Sequence, residues 1–165
     1  MLLAKGIIIA LAVGLATWFM KDLFSKVTHG QAIVLDGDTL EFEDQLVDLQ
    51  GVDAPEFQQT CERLKEPFAC GAFATAALLT KVHAKHLWCF EKGRIGETTI
   101  VAKCYAGLSD VGSALVEDGW AISIDEHGSA YKVAEGEAKH ARRGIWNSSF
   151  VPPATWRQAM ASVRQ

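Results

Sequence analysis

Between residues 31 and 56 the chain sets down three strand patterns punctuated by carboxylates, and this succession limits the fold more than any other feature. Residues 31–35 (Gln-Ala-Ile-Val-Leu) read as a strand, and Asp36-Gly37 after it is a strong hairpin turn signal, because both residue types accept tight-turn backbone. Residues 39–43 alternate apolar and polar side chains as a half-buried strand should, and residues 45–52 give a third strand. Pro55 halts it by removing a ladder donor.

The rest of the chain alternates in the same legible way. A loop carrying Cys61 and Cys70 leads into an Ala- and Leu-rich helix over residues 71–83, with apolar positions at Phe73, Ala76, Ala77 and Leu78. Residues 86–90 and 98–105 read as two more strands around a glycine-containing turn. Asp110 caps a helix through residue 116 that Gly119 ends. Residues 130–142 form another helix stopped at Gly144, and residues 156–163 a last short one after Pro152-Pro153. Three strands, a helix, two strands and more helices are the order of a five-stranded antiparallel barrel of OB-fold type. Trp88, Trp120, Trp146 and Trp156 are assigned to the core, and His29, His83 and His86 to structural or surface positions.

The N-terminus has a different character. Residues 6–20 carry no charge, and the apolar run 2–20 is broken only by Lys5. Its nineteen residues, at about 1.5 Å each, nearly cross a hydrocarbon core of roughly 30 Å. Trp18 and Phe19 suit the interfacial aromatic belt, with Lys21 and Lys26 beyond it. Residues 1–24 are therefore expected to be a transmembrane anchor, 25–30 a linker and 31–165 one folded domain; a cleaved signal peptide is the competing reading, without a small-x-small site before Lys21. Gly6, Ala10 and Gly14 recur every four residues, a spacing that lets a second membrane helix pack closely and makes a membrane protein the expected partner. The formal net charge of -4 argues against nucleic acid as that partner, since non-specific affinity comes largely from cations that displace counterions.

Four cysteines, Cys61, Cys70, Cys89 and Cys104, lie in the domain with no closely spaced pair. Three pairings are open, of which Cys61 with Cys70 and Cys89 with Cys104 is the most local. Zinc ligation is the weaker alternative. Two disulfides imply an oxidising compartment, so the domain is expected in the periplasm and the anchor in the bacterial inner membrane.

Asp36-Gly37-Asp38-Thr39 and Gly51-Val52-Asp53-Ala54-Pro55-Glu56 resemble the signature of staphylococcal nuclease-like (thermonuclease) domains. So do Cys70-Gly71, Val101-Ala102-Lys103-Cys104, Leu115-Val116 with Gly119-Trp120-Ala121, and Tyr131, Glu135 and Ala138 leading to Gly144-Ile145-Trp146. The resemblance implies calcium-dependent phosphodiester hydrolysis, with Asp38 and Asp53 as calcium ligands, Asp36 in support and Glu56 as general base. It also implies two arginines that bind the phosphate, and here the chain departs: their positions hold Asp48 and Thr99. Two substrate-cleft aromatics align with Asp125 and His127. Arg63 and Arg94 are the candidate replacement cations. Losing one well-placed electrostatic donor typically costs ~10²–10³ in rate, and an acid in its place adds repulsion. Two classes follow: a membrane-tethered, catalytically degenerate binding or accessory subunit, and a calcium-dependent envelope nuclease. For the acids themselves, a plain turn and backbone capping are the alternative to a metal site.

Overall fold

The computed structural model describes residues 26–43, 45–124 and 131–163. The expected membrane anchor, its small-residue stripe, and Asp125 and His127 lie outside these residues; among the described ones, no helix is long and apolar enough to cross a membrane.

Strands β1 (Val27–Gly30) and β2 (Ile33–Val34) are followed by β3 (Thr39–Phe42), β4 (Gln45–Leu49) and β5 (Val52–Asp53). A hairpin of β6 (Cys61–Arg63) and β7 (Glu66–Phe68) precedes helix α1 (Cys70–Val82). Then come β8 (Leu87–Ile95), β9 (Thr99–Ala106), β10 (Ser109–Asp110), α2 (Val111–Glu117), β11 (Ile122–Ser123) and α3 (Lys132–His140). A 3₁₀ turn (Gly144–Asn147) and α4 (Pro153–Val163) are the last elements of the described residues.

The main sheet runs β1-β8-β9-β4-β3-β2, with β10 attached to β9. Its two edges, β1 and β2, are separated in sequence only by Gln31 and Ala32. One short stretch thus serves both ends of the sheet, which curls into an OB-type half-barrel. The expected antiparallel order needs one correction: β4 and β9 run parallel, with Asp48 opposite Val101. A parallel neighbour requires a long crossover, and α1 with β8 supplies it. The alternation in β3 and β4 sends Leu40, Phe42, Val47 and Leu49 inward, where they meet Leu87, Ile100 and Leu115.

Several expectations shift. Residues 27–30 pair with β8 as a strand, not a connector, because Val27 and His29 have the edge backbone of Phe90 and Trp88 to bind. The cysteine loop contains the β6–β7 hairpin. On α1 the buried stripe is Ala74, Leu78 and Val82, while Phe73 is exposed and stacks on Trp120. Trp88 leaves the core, 45% exposed, since β8 alternates inward at Leu87 and Cys89; it stacks on His29 with ring centres 4.9 Å apart.

Both local disulfides are present. Cys61–Cys70 clips the hairpin to the start of α1, and Cys89–Cys104 joins directly opposed residues of β8 and β9. With all four thiols paired, zinc ligation by cysteine is set aside.

Candidate active-site cleft

The first acidic arm is built by local backbone. Asp36 Oδ1 accepts the amides of Asp38 (3.2 Å) and Thr39 (2.8 Å), closing the turn between β2 and β3. Asp38 Oδ2 accepts the Ala54 amide at 2.7 Å and so ties this turn to the loop after β5. Gly37 makes the approach feasible: a Cβ there would lie 2.6 Å from Ala54 Cβ and 2.9 Å from Ala74 Cβ. Across the β3–β4 ladder, Thr39 Oγ1 donates to Asp48 Oδ1 at 3.2 Å.

The second arm, Asp53 and Glu56, is built from far away in sequence. Asp53 is buried at the end of β5. Gly71, at the start of α1, packs on the backbone of Glu56, and any Cβ there would overlap the Glu56 carbonyl. The buried Gln59 accepts the Glu56 amide (3.3 Å) and donates to the Val151 carbonyl (2.7 Å), fixing the segment that leads into α4. Pro153 is buried at the first position of that helix, where a missing amide hydrogen costs nothing. Helix α4 then reaches the carboxylates twice. The Ala154 amide donates to Asp53 Oδ2 at 3.3 Å. Arg157 Nη1 lies 2.8 Å from Asp53 Oδ1 and 2.7 Å from Glu56 Oε1.

Asp36, Asp38, Asp48, Asp53 and Glu56 line one open cleft of about 800 Å³. Lys92, Arg94, Lys103 and Arg157 line it too. Burial, and then the neighbouring Asp36, push the Asp38 carboxyl well above its ordinary range against the Ala54 hydrogen bond. Burial also raises Asp48, with Thr39 and Arg157 opposing and Asp36 and Asp53 adding to the rise. For Arg157, burial favours deprotonation, but the hydrogen bonds it donates to Glu56 and Asp53 more than offset this and hold the guanidinium above its usual value. At the far side Asp110 caps α2 through Ser113, accepts from the Tyr131 hydroxyl at 2.9 Å and pairs with Lys103 at 3.0 Å. That pairing raises Lys103, and burial together with the hydrogen bond that the Tyr131 hydroxyl donates to Asp110 raises Tyr131.

The four acids named from the sequence thus converge, and Asp48 stands among them. Thr99 opens β9 opposite Ile95 and Leu46, outside the cleft lining. Neither candidate replacement cation stands free in the cleft. Arg63 donates to the carbonyls of Asn147 (3.2 Å) and Gly144 (3.3 Å) and covers the Phe68 ring. Arg94 lines the cleft, but its Nε and Nη2 both donate to the Glu91 carboxylate. The cation that does meet the acids, Arg157, was missed: one arginine on a short helix carries no signal separating it from a solvated face.

Calcium is the ion the resemblance implies at Asp36, Asp38 and Asp53. It takes six to eight oxygens at ~2.3–2.6 Å, and the residues as arranged do not present such a set. Both Asp53 oxygens are engaged by α4, and Asp38 Oδ2 holds the Ala54 amide. Among the described residues, no group of three or more His, Cys, Asp or Glu side chains is disposed to hold a metal ion.

A family model described as staphylococcal nuclease homologue matches residues 46–148, beginning inside β4, after the Asp36–Asp38 turn. The chain is also 35% identical over 123 residues to the succinoglycan biosynthesis protein ExoI of Rhizobium meliloti (strain 1021), covering 72% of this chain and 64% of the relative. It therefore spans just under two thirds of the length of that curated relative.

Proposed function

Because this chain belongs to the staphylococcal nuclease homologue family, we propose that it is a nuclease-like binding domain that has given up phosphodiester hydrolysis and serves as an accessory subunit in the bacterial envelope. The observation that carries this reading is Asp48. It faces the cleft from β4, hydrogen-bonded to Thr39, at a position where the family resemblance calls for a phosphate-binding arginine. A carboxylate there repels a phosphodiester. Thr99 offers no charge at the second such position.

The envelope assignment rests on other support. Two disulfides suit an oxidising periplasm, and the apolar run 2–20 suits an inner-membrane anchor through which a membrane-protein partner docks. The name of the relative adds succinoglycan biosynthesis, so the complex we favour is one that builds or exports an envelope glycan.

A second reading, a calcium-dependent nuclease acting on DNA or RNA, is favoured by Lys92, Arg94, Lys103 and Arg157 lining the same cleft as the acids. The full-length chain in detergent is assayed on single-stranded DNA and RNA, with calcium and with chelator, beside Glu56→Gln. The proposed function predicts no cleavage above that variant. Calcium-dependent cleavage abolished by Glu56→Gln would establish the nuclease instead.

A further inference from the structure

We infer that Arg157 is this chain's built-in substitute for a divalent cation: the guanidinium of α4 occupies the position between Asp53 and Glu56 and keeps a metal ion out. The inference rests on the functional reading above, since it supplies the reason that the acids persist without hydrolysis.

Three features of the geometry carry it. One nitrogen, Nη1, lies within 2.8 Å of Asp53 Oδ1 and 2.7 Å of Glu56 Oε1, so a single positive group joins both carboxylates of the second arm, including Asp53, the ligand that this arm would give an ion. The remaining Asp53 oxygen holds the Ala154 amide at the start of the same helix, which leaves this buried carboxylate no oxygen free of α4. The helix itself is fixed in place: Gln59, fully buried, grips the Val151 carbonyl, and Pro153 is buried beneath the first turn. Arg157 is therefore delivered by an anchored element. A hydrogen-bonded charge pair at this spacing is strong because guanidinium and carboxylate are both ionised, and a buried carboxylate without a partner is costly. A cation at this point offsets that cost, and the chain brings its own.

The test follows thermal unfolding of the full-length chain in detergent, with calcium or with chelator, for the wild type and Arg157→Ala. The wild-type midpoint should not move with calcium. Arg157→Ala should melt lower in chelator and recover on calcium addition, by roughly 5–10 °C at a calcium level ~100 times its dissociation constant. Arg157→Met, which keeps the apolar stem, serves if the alanine variant does not fold, and Arg157→Lys should remain indifferent to calcium. Stabilisation of the wild type equal to that of the variant, or of neither, overturns the inference. Hydrolysis that persists in chelator would defeat the proposed function and leave this inference standing. A calcium-indifferent Arg157→Ala that is also inactive would do the reverse.

Discussion

The two acidic arms of the cleft are chemically alike and are held in opposite ways. Asp36 and Asp38 are satisfied by amides two, three and sixteen residues away. Asp53 and Glu56 are satisfied by a helix that lies 101 to 104 residues further along the chain. The first arm is a turn that organises itself; the second exists only when α4 has docked. A site of this kind depends on α4 for its charge balance, whereas its walls come from the turn before β3 and from β4, β5, β8 and β9.

Substitutions at the second arm should therefore cost more than those at the first. The largest effect is expected at Gly71→Ala, where a Cβ overlaps the Glu56 carbonyl. Overpacking against backbone should lower unfolding free energy by about 3 kcal/mol in urea titration, and an unchanged midpoint would mean the 53–56 loop moves freely. Next comes Asp53→Ala, which leaves Arg157 with Glu56 alone and strands the Ala154 amide, and should cost about 2 kcal/mol. Proteolysis at α4 should accelerate alongside, and equal resistance would show that α4 docks without this carboxylate.

The first arm offers a pH test. Asp38 is raised by burial and by Asp36, so the folded chain holds its proton at pH values where the unfolded chain has lost it. Stability should fall as pH rises from about 3.9, the ordinary aspartate value, up to the raised folded value, and level off above it. The slope from this one group reaches at most about 1.4 kcal/mol per pH unit. Asp38→Asn, whose side-chain oxygen still accepts the Ala54 amide, should remove that slope, so the variant gains on the wild type as pH rises above about 3.9. Parallel stability curves would contradict the assignment. The smallest effect is expected at Asp36→Ala, about 1 kcal/mol from two lost turn hydrogen bonds, with calcium response and α4 protection untouched.

The same contrast explains what the sequence could disclose. Residues that work through near neighbours were legible: the Asp36-Gly37 turn, the alternation of β3, the Asp110 cap, and the two local disulfides. The convergence of Asp36, Asp38, Asp53 and Glu56 was legible through family resemblance. Features decided by a distant partner were not. Strand β1 is a strand because β8 offers it an edge, Phe73 is tolerated outside because Trp120 covers one face of it, and Arg157 has meaning only beside Asp53 and Glu56. No periodicity or motif in residues 153–163 points to the cleft, because a single cation in an amphipathic helix obeys every rule for a solvated one.

The most direct measurement is a crystal structure of the chain grown in millimolar calcium. The Arg157 guanidinium should lie within hydrogen-bond distance of both Asp53 and Glu56, with no ion between them. A calcium ion coordinated by Asp38 and Asp53, with Arg157 displaced toward solvent, would contradict it.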